Sequence, residues 1–451
     1  MFDFENCASL LLEVLFTASF YFCQTKGEYA MLQFERIDGP YGIPVYFQPL
    51  PETIGPIGLR WLVFVGSADD PSVGLPGLYH WFEHVPFRGT VRYPGGYADT
   101  IGRFRRYGGY LNAHTSKTRT AYYGFVPRAH WWEALDVLTD LIAQPLLTED
   151  GINSEREIIR DEQNRARSKP DKYFWQTKGE HLFSGHPLAH PVLGTDDTLT
   201  RMGTGLLRQA HGCGYSRSRC VLLVSGALDR TELFDAVAEQ AARIPELVVA
   251  ERRLPACYAP LPPWPAGRTF TVDTPFPSSL VALFFPVPAR PPNMFHRAWA
   301  FLKALFETGG LNSPLLRILR EQRNLVYSAW VTTSWDPDGG IWGFRAETRP
   351  EHIDAVLRGF WDVLCDAHVH SQDWEDYVRD AIRSLARMRV AHPDDSTKDG
   401  EDRLVEYGRP MSDVELEAEL LSVTREEVLS LLDTLTPERA CILIYRGLDK
   451  T

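Results

Sequence analysis

The sequence predicts an α+β fold of two homologous α/β-sandwich domains, each a mixed sheet with helices packed on it. From Met31 onward, strand-like apolar runs alternate with amphipathic helical segments. Five prolines fall within residues 254–267, which is typical of an interdomain linker. After this stretch the order of strand, helix, edge region and further helices begins again. Such self-similarity indicates a degenerate internal repeat.

The prediction divides the chain into a short extension, two domains and a linker. Residues 1–30 contain an apolar stretch, but Glu13 interrupts it and the start is acidic, so they make a poor secretory signal and a short membrane span. We expect them to be a non-essential extension and expect no stable membrane insertion. Residues 31–253 and 268–451 are the predicted domains, with the linker at 254–267.

Each element follows from its pattern of apolar residues. Strands are predicted at 59–65, 222–226 and 279–286, and helices at 77–85, 131–143, 152–162 and 293–308. A stretch that follows two glycines, residues 111–115, is expected to be a strand.

Composition narrows the class of protein. The chain has 451 residues, of which 44% are hydrophobic and 24% charged, as in a globular soluble protein. The net charge of −12 argues against a nucleic acid partner. Seven cysteines are an odd number, which argues against a complete disulfide framework, and no C-x-x-C motif occurs. Both observations are consistent with a cytoplasmic protein.

One pentapeptide, His80-Trp81-Phe82-Glu83-His84, carries most of the functional information. On a helix, His80 and His84 leave the same face and can bind one metal ion, and Glu83 lies close enough to act as a base. This is the H-x-x-E-H arrangement. The alternative is a surface or core helix that happens to carry two histidines.

A catalytic zinc site needs a third protein ligand. Glu155 and Glu162 lie two turns apart on the helix predicted at 152–162, on a face that also holds Ile158 and Ile159. Two carboxylates directed at a core are costly unless a cation meets them. A metal or a neighbouring Arg or Lys would satisfy them, and the histidines favour the metal.

Together these motifs resemble the pitrilysin and insulin-degrading enzyme family, the inverted zincins, and specifically its half-length, two-domain type related to mitochondrial processing peptidase. Phe87-Arg88-Gly89-Thr90 is also similar to this family. The resemblance implies that His80, His84 and Glu162 bind one Zn²⁺ per chain, that Glu83 is the general base and that Glu155 orients a ligand.

Two further segments are similar to the family. The stretch that begins at Gly108-Gly109 implies an edge strand that pairs with a peptide substrate through Leu111, Asn112, Ala113, His114 and Thr115. An ordinary strand after a Gly-Gly turn is the alternative. Arg320 and Tyr327 match a pair that meets the substrate across a chamber from the zinc; a solvated helix Arg and a packed strand Tyr are the alternative.

The chain departs from the family pattern at two places. Val85-Pro86 follows the second histidine, and Pro86 should stop or kink the helix there. His114 stands where an apolar or aromatic residue is frequent in the family, which would alter the first pocket on the leaving-group side; a stray His on an exposed strand is the alternative. In the second repeat, residues 295–299 replace the zinc motif, so one zinc per chain is expected.

The sequence therefore predicts a zinc metalloendopeptidase that cleaves short or unfolded peptides. Zinc is not the only metal that two imidazoles and a carboxylate accept, and manganese and cobalt stay open. Chains of this length in the family pair to close a chamber, which implies a homodimer. The alternatives are a heterodimer with a metal-free homologue, or a non-catalytic subunit of a processing peptidase complex.

Overall fold

The computed structural model describes residues 32–52, 55–72, 74–246, 260–289, 296–307, 311, 313–336, 339–369, 379, 382 and 392–448. The predicted extension at 1–30 lies outside these residues, as does the first part of the predicted linker, 254–259. The described strands form two mixed sheets, one built from each half of the chain.

The first sheet has six strands. They are β1 (Glu35–Asp38), β2 (Pro44–Pro49), β3 (Pro56–Val63), β4 (Tyr110–Thr115), β5 (Thr120–Pro127) and β6 (Cys220–Gly226). Their order across the sheet is β1-β2-β6-β3-β5-β4. The β2–β6 pair is parallel and the others are antiparallel. The predicted strand at 111–115 is therefore β4, at the edge of the sheet.

The second sheet repeats this path. Its strands are β7 (Arg268–Thr274), β8 (Ser279–Val287), β9 (Val326–Asp336), β10 (Gly339–Thr348) and β11 (Cys441–Gly447). Their order is β7-β11-β8-β10-β9, with β7 and β11 parallel and the other pairs antiparallel. The same connections and directions link β2-β6-β3-β5-β4. The two sheets therefore share one topology, which confirms the predicted fold of two related α/β units.

Helices cover both sheets. In the first half they are α1 (Leu78–His84), α2 (Ile101–Arg106), α3 (Trp131–Ala143), α4 (Glu149–Arg167), α5 (Pro170–Leu182), α6 (Asp196–Arg201), α7 (Thr204–Gly214) and α8 (Arg230–Ala241). In the second half they are α9 (Arg297–Glu307), α10 (Pro314–Leu316), α11 (Ile353–Val369), α12 (Pro393–Tyr407), α13 (Asp413–Leu421) and α14 (Arg425–Leu432). A π-helical turn, Arg317–Gln322, continues α10.

Side chains alternate between the two faces of the first sheet, and each face has its own core. Trp61 of β3 belongs to the large core that includes Trp81 and Phe82 of α1. Leu62, its neighbour on β3, belongs instead to a smaller cluster with Leu404 of α12. The helix that carries the H-x-x-E-H motif and α12 therefore lie on opposite faces of one sheet.

The two halves of the chain exchange helices. Helix α12 follows most of the second half in sequence, yet it packs on β3 and β6 of the first sheet. Helix α5 belongs to the first half, yet it packs on β8 and β11 of the second, where Phe174 joins the core with Phe284. Contact with α12 is close, because a Cβ on Gly58 of β3 would lie 2.6 Å from the carbonyl oxygen of Pro393.

The predicted elements agree with the structure in type and differ at their ends. The helix at 131–143 coincides with α3, whereas the strand at 59–65 is β3, which begins and ends earlier. The described part of the helix predicted at 293–308 is α9. Linker residues 260–267 contact the second half, where Trp264 Nε1 donates to the Arg439 carbonyl at 2.8 Å. In the part of the chain described here, no helix has the length and apolarity to cross a membrane.

Candidate metal centre

The position of α1 is fixed at both ends. Its first N–H groups are capped by the buried carboxylate of Asp70, which accepts from Gly77 N at 2.6 Å and from Tyr79 N at 3.0 Å. Gly77 has a φ of 82°, in the left-handed region that favours glycine. At the other end the α-helix stops at His84 and a 3₁₀ turn, Val85–Arg88, follows. This confirms the effect predicted for Pro86.

Two histidines of α1 and one glutamate of α4 converge between these two helices. Nε2 of His80 lies 3.4 Å from Oε2 of Glu162, and Nε2 of His84 lies 3.6 Å from the same oxygen. One ligand atom from each residue lies within 4.8 Å of the others, and these three form the one group of this kind among the described residues. Two imidazoles and one carboxylate are a donor set of catalytic zinc sites, so the residues fit a zinc ion.

Glu155 contacts His84 at the ring nitrogen that does not face Glu162. It is fully buried on α4, and its Oε2 accepts from Nδ1 of His84 at 3.0 Å. Its other oxygen accepts from Arg88 Nε and, at 3.2 Å, from the hydroxyl of Tyr97. Burial alone would raise the pKa of Glu155, but the hydrogen bonds and charges of His84 and Arg88 outweigh it and lower the pKa.

The charge state of the histidines follows from these contacts. Burial, and secondarily the charge of His84, holds the pKa of His80 well below its usual value. Burial also acts to lower the pKa of His84, but its hydrogen bond to Glu155 and the charges of Glu83 and Glu162 outweigh that effect and raise it. The lowered pKa favours the neutral form of His80, which is the form that binds a metal ion.

Glu83 lies on the same helix, directed toward the edge strand. Its side chain is 9% exposed, and its Oε2 accepts a hydrogen bond from Oγ1 of Thr115 at 2.7 Å. Burial raises the pKa of Glu83, although the charge of His84 and the Thr115 hydroxyl act in the opposite direction. A carboxyl group with a raised pKa can both accept and return a proton near neutral pH.

The candidate substrate strand β4 presents its residues to two different faces. Leu111 and Ala113 are buried in the core shared with α1, and Thr115 contacts Glu83. His114 and Asn112 point the other way: Nε2 of His114 lies 3.0 Å from Oε1 of Glu401, on α12. The influence of His114 on a leaving-group pocket stays a prediction; in the structure the ring contacts Glu401, on the face of the strand opposite to Thr115.

Arg320 and Tyr327 lie together in the second half. Nη1 of Arg320 donates to the carbonyl of Tyr327 at 3.1 Å, and its guanidinium lies 4.8 Å from the centre of the Tyr327 ring. Both line a cavity of about 700 Å³ together with Ser278 and Glu347. Tyr327 is 81% exposed, so the packed tyrosine considered as an alternative is wrong. None of His80, His84 and Glu162 lines this cavity.

Three residues that hold α1 and Glu155 in place could not be identified from the sequence. Asp70, Arg88 and Tyr97 carry no motif of their own, although Arg88 lies in a segment noted for its family resemblance. Their roles follow from their contacts: Asp70 caps α1, and Arg88 and Tyr97 donate to Glu155. One expectation about α4 is also corrected: Ile159 is buried but Ile158 is 36% exposed, because Ile158 falls beyond the edge of the apolar face.

Two family models match the sequence. Residues 57–196 match the model described as Insulinase (Peptidase family M16), and residues 206–379 match the one described as Peptidase M16 inactive domain. A zinc protease of Streptomyces coelicolor, named as uncharacterized, is 27% identical over 417 residues, which cover 89% of this chain and 87% of that protein. One of Mycobacterium tuberculosis is 28% identical over 337 residues, 74% of this chain and 75% of that protein.

Solved structures are similar along most of the chain. A protease from Helicobacter pylori superposes with a TM-score of 0.81 at 20% identity, covering 93% of this chain and 100% of that one. Pitrilysin superposes with a TM-score of 0.74 at 20% identity, covering 94% of this chain but 46% of the pitrilysin chain. At these identities the similarity concerns the fold.

Proposed function

Because this chain belongs to peptidase family M16, in the half-length form of the pitrilysin-type fold, we propose that it is a zinc-dependent metalloendopeptidase. Its proposed substrates are short or unfolded peptides. The observation that carries the proposal is the convergence of His80, His84 and Glu162 beside Glu83. The relatives named as zinc proteases support the same reading.

In this proposal His80, His84 and Glu162 hold the zinc ion. When bound, zinc supplies a Lewis acid that polarises the scissile carbonyl and makes water more acidic. Glu83 accepts the proton of the attacking water and returns it to the leaving amine. Its buried setting and raised pKa suit both steps. Glu155 keeps the His84 ring in place, and through it the position of one ligand.

The peptide is proposed to bind as an added strand on β4, along Leu111, Asn112, Ala113, His114 and Thr115. An edge strand offers unpaired N–H and C=O groups, which hold a backbone without demanding particular side chains. His114 contributes through its backbone, since its ring contacts Glu401. Arg320 and the exposed Tyr327 are proposed to contact the peptide from the second half.

We further propose that the chain acts as a homodimer that closes a chamber around the peptide. The cavity that Arg320 and Tyr327 line includes none of His80, His84 and Glu162, and in this proposal a second copy brings the two groups together around the peptide. A cytoplasmic location is proposed from the cysteines: Cys213, Cys220, Cys365 and Cys441 are free thiols in the described residues.

A second candidate is a non-catalytic subunit, or one that works only in a heterodimer with a metal-free homologue. The observation that favours it is the match of residues 206–379 to a domain described as inactive. That match begins after the H-x-x-E-H motif and Glu162, so it includes none of the proposed zinc ligands and does not include Glu83.

The test uses the purified full chain. Metal analysis should find zinc, and a fluorescence-quenched peptide should be cleaved, with the activity lost to a chelator and restored by zinc. Glu83→Gln should keep the zinc and lose cleavage by at least about a hundredfold, the scale of general-base catalysis. Glu157→Gln, on the exposed side of α4, is the matched control.

Cleavage by Glu83→Gln at the normal rate would exclude Glu83 as the base. A zinc-loaded dimer that cleaves nothing would favour the non-catalytic subunit. Light scattering supplies the oligomeric state, and an inactive monomer that gains activity only with a second protein would favour the heterodimer.

A further inference from the structure

One buried carboxylate from the second half of the chain holds the edge strand of the first sheet. Glu401 of α12 is fully buried. Its Oε1 accepts from Nε2 of His114 at 3.0 Å and from Nε of Arg119 at 2.5 Å. Its Oε2 accepts from Nη1 of Arg60 at 2.8 Å. Glu401 thus links β3, β4 and the turn that leads into β5.

The charges around Glu401 make this a strong link. Burial alone would raise the pKa of Glu401, but Arg119, His114 and Arg60 outweigh it and hold the pKa far below its usual value. Arg60 is itself buried, and it is satisfied further by Asp394 and Thr397 of α12. Hydrogen bonds between ionised groups of this kind are short and geometrically specific.

Thr115, the residue after His114 on β4, contacts the proposed base on the other face of the strand. Successive side chains of a strand point to opposite faces. His114 therefore reaches α12 on one face, while Thr115 donates to Glu83 on the other at 2.7 Å. Oγ1 of Thr115 also lies 3.4 Å from Oγ1 of Thr120, which donates to the carbonyl of Val65. The end of β4 is held from both sides, with an interdomain carboxylate on one side and the proposed base on the other.

We propose that Glu401 is a positioning residue for the reaction: through His114 and Arg119 it fixes the end of β4, and Thr115 then fixes the carboxylate of Glu83. This inference rests on the proposed peptidase function. It means that the second half of the chain sets the geometry of the base, although it supplies none of the proposed zinc ligands. A displacement of a catalytic group by about 1 Å can cost on the order of a hundredfold in rate.

A double-mutant cycle on kcat tests the route from His114 through Thr115. His114→Phe removes the link to Glu401 but leaves the pairs of that carboxylate with Arg60 and Arg119. We expect His114→Phe and Thr115→Val each to lower kcat by roughly tenfold, with zinc content unchanged. If His114 acts through Thr115, the double variant is no slower than Thr115→Val.

Thr115→Ser keeps the hydroxyl and should restore kcat relative to Thr115→Val. Effects on kcat that simply multiply, or a loss confined to KM, would overturn the proposed route. A merely structural role would lower the amount of folded enzyme and not produce this non-additivity.

A second measurement does not depend on catalysis. Hydrogen exchange of the segment 110–127 should be several-fold faster in Glu401→Gln than in the natural chain, because β4 loses its charged anchor. Asp395→Asn, an exposed acid on the same helix, is the control and should leave that exchange unchanged. If Glu401→Gln does not fold, His114→Phe takes its place with the same expectation.

Unchanged exchange in the folded variant would overturn the anchor. If the natural chain cleaves no peptide but the exchange of 110–127 still rises in the variant, the peptidase proposal fails while the anchoring of β4 stands.

Discussion

Nδ1 of His84 lies 3.0 Å from Oε2 of Glu155, while Nε2 of the same ring faces Oε2 of Glu162 at 3.6 Å. One imidazole therefore lies between two carboxylates of α4. The buried carboxylate accepts a hydrogen bond from Nδ1, and in the neutral ring this arrangement leaves the lone pair of Nε2 free to bind a metal ion. This tautomer is the one that a metal ligand requires.

Loss of Glu155 should weaken metal binding without removing a ligand. In Glu155→Gln the His84 ring loses its charged partner, and we expect the zinc affinity to fall by about 10- to 100-fold. Competition with a chromophoric chelator measures this affinity. Glu157→Gln, which alters an exposed acid on the same helix, should bind zinc as the natural chain does. Equal affinity in both variants would contradict the role given to Glu155.

Loss of Glu162 should have a larger effect. Glu162→Gln replaces a proposed ligand, so the purified variant should contain little or no zinc, while its far-ultraviolet circular dichroism stays unchanged. The side chain of Glu162 is 29% exposed, so the substitution does not disturb the core. Full zinc content after dialysis would refute the ligand assignment.

The anchor at Glu401 predicts a dependence of stability on pH. The pKa of Glu401 in the folded chain lies below its usual value of 4.5, so its contribution to the free energy of unfolding is fully present above that value. The contribution is lost as the pH falls from 4.5 toward the folded pKa. Glu401→Gln lacks it at every pH.

Urea unfolding of both proteins over this range checks the sign. The natural chain should be the more stable at neutral pH, and the difference should shrink as the solution becomes acidic. A difference that grows on acidification would contradict the account.

Binding on the edge strand predicts a pattern in the substrate backbone. In an antiparallel pair, alternate residues exchange hydrogen bonds with the partner strand. A peptide series with single N-methyl groups should therefore lose affinity at every second position, by roughly fivefold for a hydrogen bond of ~1 kcal/mol. Binding to Glu83→Gln, measured by fluorescence anisotropy, reports this without cleavage. Uniform losses along the peptide would argue against added-strand binding.

Close packing of α12 on the first sheet can be tested with two glycines. A Cβ at Gly58 would lie 2.6 Å from the carbonyl oxygen of Pro393, so Gly58→Ala should destabilise the protein by about 1–3 kcal/mol. A Cβ at Gly212, an exposed position in α7, meets no atom within 4 Å. Gly212→Ala should therefore stabilise by roughly 0.5–1 kcal/mol. Thermal unfolding measures the stability of both variants. If Gly58→Ala were as stable as the natural chain, α12 would pack less tightly on β3 than the structure indicates.

Much of the fold could be predicted from local patterns. The H-x-x-E-H helix, the helix at 131–143 and the edge strand carry strong periodicity or motifs, and each is present. The repeat could be inferred because the same order of predicted strands and helices occurs before and after the linker. The exchange of α5 and α12 between the sheets could not, because an amphipathic helix specifies which of its faces is apolar but not which sheet covers it.

The candidate site divides in the same way. His80, Glu83 and His84 are set by spacing within one helix, and Glu162 follows from a second helix with a recognisable motif. The contact of the His114 ring with Glu401, a carboxylate far away in the sequence, could not be predicted. Contacts such as Glu83 with Thr115 depend on how two elements pack, which no single stretch of sequence records.

Because each sheet is covered by a helix from the opposite half, we expect that neither half folds stably alone. Separate expression of the two halves would leave the apolar surface over Leu62 and Phe64 open in one fragment and that around Phe284 open in the other. If the gene were split at the linker, we would therefore expect the two products to aggregate unless both were made in the same cell.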